Sequence, residues 1–309
     1  MIKYIIRRIL LLIPTLLFVT FIVFTLLFFT PGDPARQAAG ESATVEAVEL
    51  KRIELGLDKP FLVQYARWLW RLVTKFDMGT SYQNSQPVTR EVLMRMPTTL
   101  RMAGLSICFA VFIGVPLGIV SAVKQYSAFD NIAMIFGLLG ISMPLFWLGL
   151  LLILLFSVNW GIFPSSGFSS FRHMILPCLT LSVQSLAIIM RMTRSSMLEV
   201  VRQDYIRTVR AKGQKEFVII MRHALKNAML PIVTTIGLQF GLLLGGSVLV
   251  ETIFTVPGIG RLIVESIKCR NYPVVQGSVL VVALLFAFVN LFVDIVYGFF
   301  DPRVRAQYK

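Results

Sequence analysis

Long apolar runs alternate with polar connections along the whole chain, and the lengths of the runs decide which solvent they need. A helix must contribute about 20 mostly apolar residues to cross the hydrocarbon of a bilayer. Six stretches reach that length: residues 9–30, 99–123, 132–156, 174–193, 229–251 and 277–300. They predict an all-α, polytopic membrane protein with six transmembrane helices. The first stretch follows Lys3, Arg7 and Arg8, as the core of a secretory signal would. Its run is longer than such a core and ends without a small-residue cleavage site, so residues 1–30 are read as a retained helix. Pro14, Pro116, Pro144 and Pro177 fall inside or beside spans, where neighbouring helices can satisfy the freed carbonyls and the kinks shape packing. Pro231 is expected at the start of the fifth span, where a missing N–H costs little. Gly237, Gly241 and Gly245 recur every fourth residue and predict a smooth strip for close helix packing.

Two connections carry a pattern of their own. Residues 61–76 read FLVQYARWLWRLVTKF. Gln64, Arg67, Arg71 and Lys75 share one helical face, and Phe61, Leu62, Trp68, Leu69, Leu72, Val73 and Phe76 cover most of the rest. Such a helix either lies in the membrane interface or packs on the outer ends of the bundle. Residues 194–228 are long enough for two helices. Gly213 is the expected break, because glycine is costly inside a helix and favoured just past its end. A connector alone needs only a handful of residues, so this basic segment predicts a docking surface for a partner, with anchoring to anionic lipid as the alternative.

Composition agrees with the pattern: 56% hydrophobic and 15% charged residues, with a mean hydropathy of +0.75, exclude an ordinary soluble domain. The net charge of +14 comes from residues set between apolar runs, which speaks for membrane orientation and against nucleic-acid binding. With the N-terminus inside, fifteen Lys and Arg fall on the cytoplasmic side and four in the two short outer loops, so both termini are expected in the cytoplasm. Cys108, Cys178 and Cys269, and His173 and His223, are too scattered for a disulfide framework or a metal cluster. No phosphate-cradling loop, H-E-x-x-H or G-x-S-x-G occurs. The expectation is therefore no catalytic, cofactor-binding or metal-binding residues, and no enzyme activity of the chain by itself. Asp294, one turn from Asn290 in the sixth span, is expected to pair with Arg191 or Arg194.

Further motifs punctuate the chain: PGDPA at 31–35, LGLDKP at 55–60, SMPLFWLGLLL at 142–152 and DYIRTVRAKG at 204–213. HALKNAMLP at 223–231, GGSVLVETIFTVPGIGRL at 245–262, YPVVQ at 272–276 and DPRVR at 301–305 continue the series. In this order and spacing the chain resembles the first permease subunit of the dipeptide, oligopeptide, nickel and glutathione group of ATP-binding-cassette (ABC) importers. The resemblance implies a type I ABC importer permease fold in the bacterial inner membrane. Residues 31–94 would be an external segment with an interfacial helix, 95–300 the permease core with a coupling loop at 194–228, and 301–309 a cytoplasmic tail. It implies that Asp204, Tyr205, Arg207, Arg210, Ala211, Lys212, Gly213 and Gln214 form the contact with an ATPase. The implied partners are a second homologous permease forming a heterodimer, two ABC ATPase subunits, an external substrate-binding protein and membrane lipid. ATP and Mg would be bound by the ATPase, and no cofactor by this chain. Arg207-Thr208-Val209 stands where the family carries glutamate-alanine-alanine, and Asn271 where it carries aspartate.

Short peptides are the expected substrate, with a nickel chelate or glutathione as alternatives. Ser142, Met143, Gln184 and Gln239, polar or soft residues within apolar spans, are the expected lining of the pathway. A self-sufficient secondary transporter would carry carboxylates or histidines near mid-membrane, and the spans offer almost none. A non-transporting membrane scaffold is the third reading, which co-purification with an ATPase would separate from the first.

Overall fold

The computed structural model describes residues 2–40 and 42–300, with side chains for 6, 8–40, 42–293 and 295. Helix α1 (Ile2–Phe29) is the first apolar run. Three short helices follow, α2 (Pro34–Ala39), α3 (Val45–Leu55) and α4 (Phe61–Lys75). Asp33 and Thr44 start α2 and α3 by accepting the N–H of Ala35 at 3.0 Å and of Ala47 at 3.3 Å, satisfying donors that a helix start leaves unpaired. An Asp33–Arg52 ion pair of 2.6 Å ties the two together. Helix α4 combines the two expectations for residues 61–76. Phe61 and Tyr65 pack edge-on against Phe21 and Phe24 of α1, and the Tyr65 hydroxyl donates to the Leu17 carbonyl at 3.2 Å. Leu62, Trp70, Val73 and Phe76 nevertheless remain exposed, an apolar stripe of the kind that an interfacial helix presents to lipid.

The rest of the chain is a helical bundle. It comprises α5 (Val88–Val123), α6 (Ala128–Ser142), α7 (Leu145–Leu152), α8 (Phe171–Val201), α9 (Asp204–Ala211), α10 (Glu216–Val218), α11 (Leu225–Ile253), α12 (Ile259–Lys268) and α13 (Tyr272–Phe300). One π-helical turn, Ile153–Asn159, extends α7, and another, Ile219–Ala224, fuses α10 to α11. Among the described residues five helices are long and apolar enough to cross a membrane, and the third expected span is the bent pair α6–α7.

That span departs from the straight helix expected over 132–156. At Ser142, Met143 and Pro144 the axis turns by 106°, because proline disfavours helical geometry in the residue before it; Pro144 precedes α7 as its cap. The two halves run along α8 together. Gly137 lies against Met190, Gly140 against Val183, and Gly149 against Thr180 and Phe254, so their neighbours advance along α8 in one direction. With the bent pair taken as one span, the described residues hold six candidate crossings, five uninterrupted and one broken.

Helix α8 is central. Met102 of α5, Leu176 and Leu181 of α8, Leu244 of α11, and Phe254 just past its end are in the main buried cluster. Gly118 sets the approach of α5 to α8, since a Cβ there would lie 2.6 Å from the Met190 carbonyl oxygen. The glycine strip of α11 behaves as expected at two positions: Gly237 meets Val293 and Gly241 meets Phe286, both on α13. Gly245 faces a crevice of about 520 Å³ between α1 and α13. Pro231 is not at the start of its helix but inside α11, because the helix begins earlier than its apolar run, with α10 and the π turn.

Candidate functional site

The connections after α5 and after α8 share one face of the bundle. Here α9 follows α8 after two residues and is amphipathic. Its only buried residue is Ile206, packed with Met197 of α8, Ile219 and Ala224 of the π turn, and Ile232 of α11. Tyr205, half-buried, receives a hydrogen bond from the Asn227 amide at 2.6 Å and donates to the His223 carbonyl at 3.4 Å. The segment is thus fastened to both long helices through its inner face.

Its outer face is free. Asp204, Arg207, Arg210, Ala211, Lys212, Gly213 and Gln214 are all exposed, as is Phe217 just beyond. Gly213 reverses the chain with φ +75°, a left-handed conformation that a side chain makes costly. The Arg210 guanidinium grips the Glu216 carboxylate through two hydrogen bonds, of 2.6 and 3.1 Å, so the turn is braced from end to end. Arg207 lies 3.6 Å from Asp204. The π turn, with its i→i+5 bonding, lets one extra residue into the helix where the segment joins α11.

The four expected pathway residues divide. Ser142 and Met143 form the break between α6 and α7, Ser142 exposed and Met143 half-buried. Gln184 of α8 donates to the Ile141 carbonyl at 3.4 Å, beside the same break. Gln239 is buried between α11 and α8, where it accepts the Ser185 hydroxyl at 3.1 Å.

Two buried carboxylates that the sequence analysis passed over organise the bundle ends. Asp130, buried near the start of α6, accepts both donors of Arg194 at 2.7 and 2.8 Å. It also accepts the Ser121 hydroxyl, and the Tyr126 N–H at 2.9 Å, locking the ends of α5, α6 and α8 together. Arg194 is therefore committed to Asp130 rather than reserved for the expected partner Asp294, whose side chain lies outside the described residues. The cytoplasmic tail 301–309 lies outside them too.

Glu251 is the second carboxylate, fully buried at the end of α11. It accepts the Thr99 hydroxyl of α5 at 2.8 Å and the Arg261 N–H of α12 at 3.0 Å. The Thr99 oxygen in turn accepts the Ile259 N–H at 2.9 Å. The Glu251 carboxyl thereby caps the first N–H groups of α12, a helix that periodicity does not predict, and holds it across α5 and α11. The rule that singled out Asp294, that a carboxylate in an apolar span has a purpose, applies equally to Glu251 and was the available signal. Asn271 ties the same face to the hairpin at 80–87. Its amide accepts the Tyr82 N–H at 3.0 Å and donates to the Ser81 hydroxyl at 2.7 Å.

Residues 114–306 match the model of the family described as binding-protein-dependent transport system inner membrane component, and residues 1–103 that of its N-terminal part. A dipeptide transport system permease protein of Alkalihalophilus pseudofirmus is 43% identical, the match covering 99% of this chain and 100% of that protein. A glutathione transport system permease protein of Pectobacterium atrosepticum is 45% identical, with 99% of each covered. A structure of the MetNI methionine ABC transporter in an inward-facing conformation matches with a TM-score of 0.60 at 21% identity. That match covers 70% of this chain and 99% of the other, and it supports the fold alone. A bundle of six crossings with a braced, exposed turn on one face, matched over nearly its whole length, belongs to the binding-protein-dependent transport system inner membrane component family, the permeases of ABC importers.

Proposed function

We propose that this chain forms half of the translocation pathway of an ATP-driven importer for short peptides, and that the α9–Gly213 turn couples it to a separate ATPase. The observation that carries the proposal is the turn itself, exposed on its outer face and fastened on its inner face to α8 and α11. ATP hydrolysed on another subunit can move these helices only through a contact that differs between two conformations. On this face the connection after α5 is four residues long, too short to offer such a contact. Ala211 is small enough to enter a groove on the ATPase, with Arg207, Lys212 and Gln214 at its edges. Arg210, bonded to Glu216, keeps the turn stiff enough to push. Tyr205 and Ile206 seat the helix, Asp204 stands at its exposed start beside Arg207, and the π turn passes the displacement to α11.

The remaining assignments follow from this one. A second homologous permease completes the pathway, which Ser142, Met143, Gln184 and Gln239 line in part. Two ABC ATPase subunits bind ATP and Mg, and this chain holds neither. An external binding protein delivers substrate to the face carrying residues 30–87. The excess of Lys and Arg beside the coupling turn supports a cytoplasmic location for that face and both termini, in a bacterial inner membrane. Relatives named for dipeptides, peptides and glutathione support a short-peptide substrate. Glutathione is itself a tripeptide and is the second reading, a nickel chelate the third. Uptake in a deletion strain separates the three: loss of nickel or glutathione uptake with unchanged growth on di- and tripeptides would overturn the peptide assignment.

Gly213→Pro and Ala211→Trp test the coupling. Each is expected to abolish transport, and the stimulation of ATP hydrolysis by loaded binding protein, at normal levels of membrane insertion. Should both variants transport normally, the docking site lies elsewhere.

A further inference from the structure

On the face opposite the coupling turn, a cavity of about 1100 Å³ separates α1, α3 and α4 from the hairpin at 80–87 and the first turn of α13. That is as large as the roomier ligand sites of proteins. Phe24, Leu27 and Phe28 form one side, and they belong to the apolar stretch Arg8–Phe29, so this side lies at the hydrocarbon boundary. The rest of the lining is mixed: Arg67, Arg71, Gln276 and Tyr82 stand among apolar residues such as Leu62, Trp68 and Met78.

Two carboxylates, Asp33 and Glu54, also line the cavity, and each is already paired with a cation other than Arg67 and Arg71. Arg67 and Arg71 stand one helical turn apart, a spacing at which like charges repel. Among the described residues neither forms a hydrogen bond or ion pair. The carboxylates nearby are committed elsewhere: Asp33 to Arg52 at 2.6 Å, Asp58 to Lys59 at 2.7 Å and Glu54 to Lys51 at 3.0 Å. Gln276 is only 8% exposed, and it borders the cavity, so its amide is open to hydrogen-bond whatever fills that space. Burial pushes the Tyr82 hydroxyl up to about 12, so at neutral pH it remains a proton donor.

We infer that this cavity holds an anionic phospholipid, its phosphate between Arg67 and Arg71 and an acyl chain along Phe24, Leu27 and Phe28. Planar guanidinium groups match phosphate oxygens in pairs. Gln276 and Tyr82 supply hydrogen bonds for a hydroxylated headgroup, and two arginines in one cavity with the Phe24, Leu27 and Phe28 side match a molecule that is charged at one end and apolar at the other. A small soluble anion would satisfy the arginines and leave the aromatic side bare.

The test uses the full chain in nanodiscs of phosphatidylcholine with a minor fraction of phosphatidylglycerol. Bound lipid is read by native mass spectrometry after graded delipidation, with circular dichroism confirming the fold of each variant. The wild-type chain is expected to retain phosphatidylglycerol. Arg67→Gln and Arg71→Gln should each weaken retention about fivefold, in line with the attraction of one basic residue to an anionic membrane, and Gln276→Leu should weaken it further. Lys75→Gln, on α4 but outside the cavity, has no contact with a phosphate held between Arg67 and Arg71 and should leave retention close to that of wild type. An equal loss with Lys75→Gln would mean diffuse surface charge and overturn the site. So would full retention in the arginine double variant. Displacement of the lipid by millimolar dialanine or inorganic phosphate would make the cavity a site for soluble anions and overturn it equally.

Discussion

Asp130 and Glu251 are buried in a chain with little polar surface to spare, and each is fully met by donors. Asp130 takes two bonds from Arg194, one from Ser121 and one from the Tyr126 backbone. Removing one partner of a buried pair leaves the other charge uncompensated, which costs about 3–5 kcal/mol. Asp130→Ala is therefore expected to lower thermal stability in detergent by that order. An apolar pair, Asp130→Leu with Arg194→Met, should recover much of the loss; a double variant as unstable as the sum of the two singles would show that the ion pair is not the cause. For Glu251 the expected effect is local. Glu251→Ala frees the first N–H groups of α12 and should loosen that helix. In a Cys108→Ala background, Cys269 at the end of α12 should then react several-fold faster with a small maleimide. Unchanged reactivity would remove Glu251 from this role. These two residues were visible in the sequence as carboxylates within or beside apolar runs, but their partners lie 64 and 152 positions away, and no local pattern points across such distances.

At the scale of elements, periodicity carried most of the information. The apolar runs and the amphipathic 61–76 segment are legible because helix formation and burial both act through neighbours three and four residues apart. The break of the third span was written in Pro144, but its 106° angle depends on the glycines of α6 and α7 finding α8. The helix α12 was missed because its ten residues are too short and too polar to stand out; it is held by Glu251 and Thr99 rather than by its own propensity. Gly118 shows how tightly elements are matched. A methyl group there meets the Met190 carbonyl and the Thr193 side chain, so Gly118→Ala should force α5 off α8 at a cost of about 1–3 kcal/mol, measured as a lower melting temperature. The same substitution at Gly104 of the same helix, where a methyl group meets no atom within 4 Å, is the control for packing.

The whole molecule separates two tasks onto opposite faces. One carries the braced turn and the Asp130 lock; the other carries α2–α4, the Glu251 cap and the lipid-sized cavity. Orientation is testable directly. A cysteine at Ser42 should be labelled by an impermeant maleimide added from outside, and one at Gln214 only after the membrane is opened. The reverse pattern would place the coupling turn outside and end the proposal of an ATPase partner there.

The sequence by itself determined the solvent, the helical class, the order of the crossings and the place of the turn, because each depends on composition and short-range spacing. Its ordered motifs carried the family. Only the tertiary structure decided that Arg194 belongs to Asp130, that Tyr205 and Ile206 fasten the turn from within, and that Gln239 is enclosed while Ser142 is not. Burial and pairing depend on which helices meet, and that choice is made by packing across the bundle, between residues that the chain itself keeps far apart.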